Sequence, residues 1–144
     1  MLPPPLEREE FNFMSTNQTA SYGLHLWEPG DNFLREEFNE NFAALDAAAW
    51  VVVGAYVGDG AARRNISLDF SPKAVLVVSQ DGAMGGGYSY FGGLALAGHP
   101  AQRGENIIVE TAAEGFIVHS RQIGASYHVS ANDEGLVYHY LVLR

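Results

Sequence analysis

The chain has no cysteine, which removes disulfides, thiolate metal sites and thiol nucleophiles and leaves the redox compartment unread. It also lacks any apolar run near the ~20 residues needed to span a bilayer. Its opening, MLPPPLEREE, has no apolar core of the kind a secretory signal carries. A protein made in the cytoplasm, without membrane insertion, is expected. Bases are scarce: eight Lys and Arg stand against 17 Asp and Glu, a net charge of −9. Nine of the 17 acids but two of the eight bases precede Trp50, so the front is strongly acidic and the back nearly balanced. Such a surface repels phosphate backbones, and nucleic acid is not an expected partner.

Catalytic and metal motifs are equally sparse. The five histidines, His25, His99, His119, His128 and His139, show neither the HxH nor the HExxH spacing that sets two imidazoles on one face. His119, His128 and His139 alternate with apolar neighbours and read as structural. No GxSxG marks a nucleophile, and Gly82, Gly85, Gly86 and Gly87 are followed by no GK[ST] that would make them a phosphate cradle. Asn132-Asp133-Glu134-Gly135 has calcium-friendly oxygens but reads as a turn. Asp69, Asp81, Glu105, Glu110, Glu114, Asp133 and Glu134 could pair in a glycan hydrolase by composition only. A protein that is not an enzyme, with no cofactor and no metal, is expected.

What is present begins with Glu28 to Ala49, EPGDNFLREEFNENFAALDAAA. Pro29-Gly30 breaks the preceding chain, and Asp31 or Asn32 can cap a helix of about 28 Å. Leu34, Phe38, Phe42, Leu45 and Ala49 recur at helical steps as one apolar stripe, with an eleven-residue repeat that favours nearly straight packing. Either the stripe covers this chain's own sheet, or it is an oligomerisation seam. The helix runs straight into Trp50-Val51-Val52-Val53, with no loop in which to double back, and that favours the seam. The stripe alone does not choose between two, three or four strands.

Upstream, Glu7-Arg8-Glu9-Glu10 can be encoded as a purine tract a short spacer ahead of Met14, so Met14 is the expected start and residues 1–13 a translated leader, the alternative being a proline-rich arm. Ser15 to Ser21 is polar. Tyr22 to Trp27 fits either a short strand or packing against the helix, with Trp27 as anchor.

From Trp50 the period is two. Apolar or alternating strands are expected at Trp50–Tyr56, Asn65–Phe70, Ala74–Val78, Leu94–Leu96, Asn106–Thr111, Phe116–Ser120, Tyr127–Ser130 and Leu136–Leu143, divided by glycine-rich turns. Trp50–Tyr56 reads as buried, and Ala74–Val78, apolar on both faces, as central. About eight strands without crossover helices predict an antiparallel β-sandwich or barrel behind the helix. The divisions are an extension over residues 1–30, a helix over 31–49 and a β domain over 50–144. The glycine-rich loop from Asp81 to Gly93 ends in Tyr88, Tyr90 and Phe91, a mix of backbone freedom and low-entropy aromatic area that suits recognition of a sugar or protein surface. A hairpin tip folded into the core fits the same residues. His99 and Arg103, in the next loop, could join that surface.

The run YGLHLWEPGDNFLREEFNENFAALDAA, then VVVGAYVGDGAARRNISLDFSPKAVLVV and a closing YHYLVLR, resembles the small tail-fibre or tail-appendage proteins of bacteriophages and prophages of gut bacteria. In these, an N-terminal helix reading FxxxFNxNFxxxD precedes a β-rich tip that opens GxYxGxG…SLxFxPKxVxV. The likeness covers Tyr22 to Val78 well and the rest loosely; the chain is shorter than a full fibre and has no shaft repeat. It implies a homotrimeric virion component that holds other tail or capsid proteins through its N-terminal segment and binds a host-surface glycan or protein. Trp50 is expected to mark the junction between helix and β domain, packed under the sheet. The alternative is a capsid decoration or tail-connector subunit with no host ligand.

Overall fold

The chain divides into two units, Met1–Ala48 and Ala49–Arg144, of which the computed structural model describes residues 14–48 and 50–144. The expected leader or proline-rich arm, over residues 1–13, lies outside the described residues, as does Ala49 at the end of the expected stripe.

In the first unit, β1 (Asn17–Gln18) and β2 (His25–Leu26) pair antiparallel, across a turn that uses the positive φ of Gly23. Both readings of Tyr22 to Trp27 are therefore partly met: His25 and Leu26 form a strand, while the Trp27 ring packs on Phe33 with centroids 4.8 Å apart. The helix α1 (Arg35–Asp46) is shorter at both ends than its apolar period predicts. Asp31 does not cap it. Its carboxylate instead accepts from the Thr16 amide at 2.9 Å, the Thr16 hydroxyl at 2.6 Å and the Glu28 amide at 2.8 Å, which staples a turn to the start of the hairpin. Leu34, extended, takes the N-cap position without a side-chain bond, and Ala47 is the C-cap. Twelve residues span about 18 Å, not 28.

The helix docks on the hairpin with polar groups. Glu37, 3% exposed, accepts from the Ser15 amide at 2.9 and 3.0 Å and from Trp27 Nε1 at 3.1 Å. Asn41 accepts from the His25 amide at 2.6 Å and donates to the His25 carbonyl at 3.1 Å, imitating a further strand rung. With Glu37 and Asn41 turned inward, the stripe turns outward: Phe38 is 40% and Phe42 57% exposed, and Phe33 and Leu45 are exposed beside them. The rings of Phe33, Phe38 and Phe42 follow one another at 5.1 and 4.8 Å.

The second unit is strand and turn throughout. Its elements are β3 (Val51–Val57), β4 (Arg63–Ser67), β5 (Ala74–Ser79), β6 (Gly85–Gly86), β7 (Ser89–Tyr90), β8 (Gly93–Leu96), β9 (Ala101–Arg103), β10 (Asn106–Ala112), β11 (Gly115–Ile123), β12 (Tyr127–Ser130) and β13 (Val137–Leu143). Seven of the eight expected strands are among them near their expected bounds, and the eighth, expected over Asn65–Phe70, is β4, which ends at Ser67 and leaves Leu68 to Phe70 outside the strand. The short β6, β7 and β9 are additions that two or three residues of alternation could not announce. One four-stranded sheet runs β3-β13-β5-β8. A seven-stranded sheet runs β6-β7-β12-β11-β10-β9, with β4 on the other edge of β11 from β10. The protein is thus mainly β with one short helix, but pairing is mixed, because β7 lies parallel to β12, with Tyr90 opposite Val129. The expectation of purely antiparallel pairing fails there: β12 is reached through distant intervening strands, so no crossover helix is needed.

Both sheets feed one core. The four-stranded sheet contributes Tyr56, Val75, Val77, Ala95, Tyr138 and Val142, and the other contributes Val109, Phe116, Val118 and Val129 among others. Ile66, Leu68 and Phe70 pack against it from one side of β4 and its continuation, as their alternation predicts. Here β5 is central, as expected, but β3 is an edge strand with exposed valines and Trp50 is half exposed; the reading of Trp50–Tyr56 as buried is corrected. Among the described residues no helix is long and apolar enough to cross a membrane.

Candidate functional site

Glycine-rich chain from Ser79 to Gly93 folds back on itself in small turns. The Phe91 amide donates to the Met84 carbonyl at 2.8 Å, and β6 pairs β7. Ser79 Oγ donates to Asp81 at 2.5 Å, and the Ala83 amide donates to the same carboxylate at 3.3 Å. These bonds, the serine's first, hold the Asp81 pKa below the usual carboxylate range. The stapled loop presents Tyr88, 64% exposed, at the turn between β6 and β7.

Tyr88 does not stand alone. Its ring meets Tyr127 edge-on with centroids 5.5 Å apart, and Tyr90 lies nearly parallel to Tyr127 at 6.2 Å and 19°. The β7–β12 pairing sets this arrangement, helped by the His128 amide donating to the Tyr88 carbonyl at 2.8 Å. Although β9 stands at the far end of the sheet order, Arg103 Cζ lies 5.9 Å from the Tyr90 ring centroid, within cation–π range. The sheet therefore curls enough to bring its two ends together. Three tyrosines and one guanidinium form a ledge with flat apolar faces, hydroxyls and donors in fixed positions.

Of the five residues singled out from sequence, Tyr88, Tyr90 and Arg103 are gathered here. Phe91 packs partly on the core and lines a separate open cleft of about 450 Å³ with Ser79, Gln80, Asp81, Leu136, Val137 and Tyr138. His99 is exposed and lines a smaller hollow of about 200 Å³ with Leu96, Gly98, Pro100, Glu110 and Thr111. Tyr127 is the member that sequence reasoning missed. Its signal was an aromatic at the start of a strand after Gly124-Ala125-Ser126, but the parallel pairing that places it beside Tyr90 leaves no local trace.

Of the five histidines, His25, His119 and His128 make polar side-chain contacts, whereas His139, expected to be structural, is exposed on its strand. Buried His119 has Nε2 3.1 Å from Glu110 Oε1, and His128 Nδ1 is 2.7 Å from Ser130 Oγ and 3.6 Å from Asp133. Serine and acid share one nitrogen of His128, whereas a relay needs opposite ones. His25 does use both, with Nδ1 2.6 Å from Ser15 Oγ and Nε2 2.9 Å from Glu40. The Glu37 carboxylate, however, takes the Ser15 amide and puts negative charge where an oxyanion would develop, so this geometry suits a clamp between hairpin and helix. Among the described residues no three His, Asp or Glu side chains are grouped to hold a metal. Asn132, read as part of a turn, is fully buried and fastens the loop at Asp59–Ala61.

No protein-family model, curated protein or solved structure matches this chain.

Proposed function

We propose that this chain is a non-enzymatic, self-assembling surface-recognition protein of the phage tail-fibre kind, which binds a host-cell glycan on the ledge of Tyr88, Tyr90, Tyr127 and Arg103. The observation that carries the reading is the ledge itself: Tyr88 and Tyr127 exposed, Tyr90 half-buried against the core, and the Arg103 guanidinium within cation–π range of the Tyr90 ring. Tyrosine rings offer pyranose faces a flat apolar surface, and the hydroxyls and guanidinium offer sugar oxygens directional bonds. The sequence resemblance to tail appendages supports the same role. In this reading the two sheets over one core are the sandwich tip, and three chains assemble through the outward stripe of α1 as part of a virion.

Binding of the purified full chain to glycan arrays and to intact enteric bacteria tests this. Tyr88→Ala with Tyr127→Ala is expected to lower binding by about tenfold or more, since stacking and desolvated aromatic contacts contribute ~1 kcal/mol or more apiece. Circular dichroism unchanged from wild type would show the fold intact. Unaltered binding by the double variant, or no binding to any cell while the protein enters particles tightly, overturns the assignment.

A further inference from the structure

The four-stranded sheet has two apolar faces, and only one of them is used by the core. Strand period two sends Tyr56, Val75, Val77, Ala95, Tyr138 and Val142 inward. The opposite residues of the same strands then fall in rungs across the outer face. Register places Val53 against Leu141, Leu141 against Leu76 and Leu76 against Leu94, so one rung is aliphatic from edge to edge. Val53 is 72% and Leu94 56% exposed. The neighbouring rungs contain only Val, Ala and Leu besides His139, and no residue of this face is Asp, Glu, Lys or Arg. Half-buried sheets exposed to water usually alternate apolar with polar; this one does not.

We propose that this outer face is a contact between copies of this chain, packed sheet against sheet. The proposal rests on the self-assembling reading above and adds a second surface to it. Two observations choose the occupant. First, the face is about 19 Å wide at ~4.8 Å per strand and its footprint is on the order of 400 Å². That lies within the ~300–600 Å² of a monomer's largest apolar patch, which is often functional, and is about half of the ~800 Å² per partner in a standard interface. The helical stripe would supply the remainder. Second, Val51 follows Leu45 by six residues, so chains joined through the helix hold their sheet faces at high effective concentration. An uncharged, flat, aliphatic surface carries nothing to select a foreign partner, but it is complementary to itself.

The absence of native cysteine makes a single introduced thiol diagnostic. Leu141→Cys, at the middle of the face, is compared with Gln122→Cys, an exposed site on the other sheet, for reaction with a maleimide across a dilution series of the full chain. At high concentration Leu141→Cys is expected to react about tenfold or more slowly than Gln122→Cys, with the gap closing on dilution as copies separate. Equal rates at all concentrations would show the face uncovered by its own kind and overturn the proposal. Protection that persists on dilution in a chain whose measured mass is that of a monomer would mean that the chain covers itself, and overturns it equally. The helical contact is read separately, from the mass of Phe38→Asp. If that variant keeps the wild-type mass while Leu141→Cys stays protected, the stripe reading fails and the sheet contact stands.

Discussion

Asn132 donates from its amide to Asp59 Oδ1 at 2.6 Å and to the Ala61 carbonyl at 2.9 Å while fully buried. Asn132→Ala takes a buried donor from both acceptors, Asp59 keeping the Ala61 amide, and is expected to destabilise the β unit by about 1–3 kcal/mol in urea melts. Asp59 reports the same contact. Its pKa is lowered first by the Ala61 amide and then by the Asn132 amide, so the stabilisation is full above the ordinary Asp value of about 3.9 and drains as pH falls below it. Asn132→Ala should raise the Asp59 midpoint in an NMR titration, and an unmoved midpoint would remove Asn132 from that role. Tyr56 and Tyr138 work in the opposite direction. Their rings stack at 5.0 Å, the Tyr56 hydroxyl donates to the Ala131 carbonyl at 2.5 Å and that of Tyr138 to the Ser130 carbonyl. Burial chiefly pushes both phenols up; Tyr138 adds to the push on Tyr56, while the Asp133 amide's bond to the Tyr138 hydroxyl works against the push there. A raised folded value means stability intact below about pH 10 and lost as pH climbs beyond it. Phenolate absorbance at these two rings should therefore appear together with loss of the β signal in circular dichroism. Ionisation of both near pH 10 in a folded protein would contradict it. Gly115 shows a different constraint: at φ 146, an added Cβ would lie 2.0 Å from the Ile66 carbonyl oxygen, so Gly115→Ala should force β4 from β11 and lower the melting temperature by several degrees.

At the scale of elements, α1 has a polar side used and an apolar side spare. Glu37 and Asn41 fix it to the β1–β2 hairpin, which leaves Phe33, Phe38, Phe42 and Leu45 in water in a single chain. Phe38→Asp is expected to dissociate the assembly in sedimentation experiments, because a carboxylate buried without a partner in the seam costs several kcal/mol. Phe38 makes no part of the hairpin clamp, so far-UV circular dichroism of the separated chains should keep the helix. A wild type already monomeric at high concentration would end the oligomer reading. The stripe was legible from steps of three and four, and the strands from steps of two, because both periods are properties of a local stretch. The cap was misplaced because Asp31 found non-local donors in Thr16, and the parallel β7–β12 pair was missed because two residues carry no period.

For the whole molecule, the proposed assembly would have to bring acidic chains together. Net charge is −9, and the first 49 residues hold nine acids with two arginines. Repulsion between copies acts over about 30 Å at 0.01 M salt but only about 8 Å at 0.15 M. Oligomer affinity should therefore strengthen as salt rises through that range, and light scattering at several concentrations measures it. Weakening with salt would indicate that ion pairs, not apolar faces, hold the copies.

The sequence by itself determined the helix, its apolar stripe, the eight main strands and the glycine-rich loop with its tyrosines, because each is written in neighbours a few residues apart. Only the tertiary structure decided that Tyr127 and Arg103 flank Tyr90 while Phe91 and His99 turn to other hollows. It also decided that the second apolar face of β3, β5, β8 and β13 looks outward. Alternation states that a strand has two sides; which side another layer covers depends on strands far away in the chain.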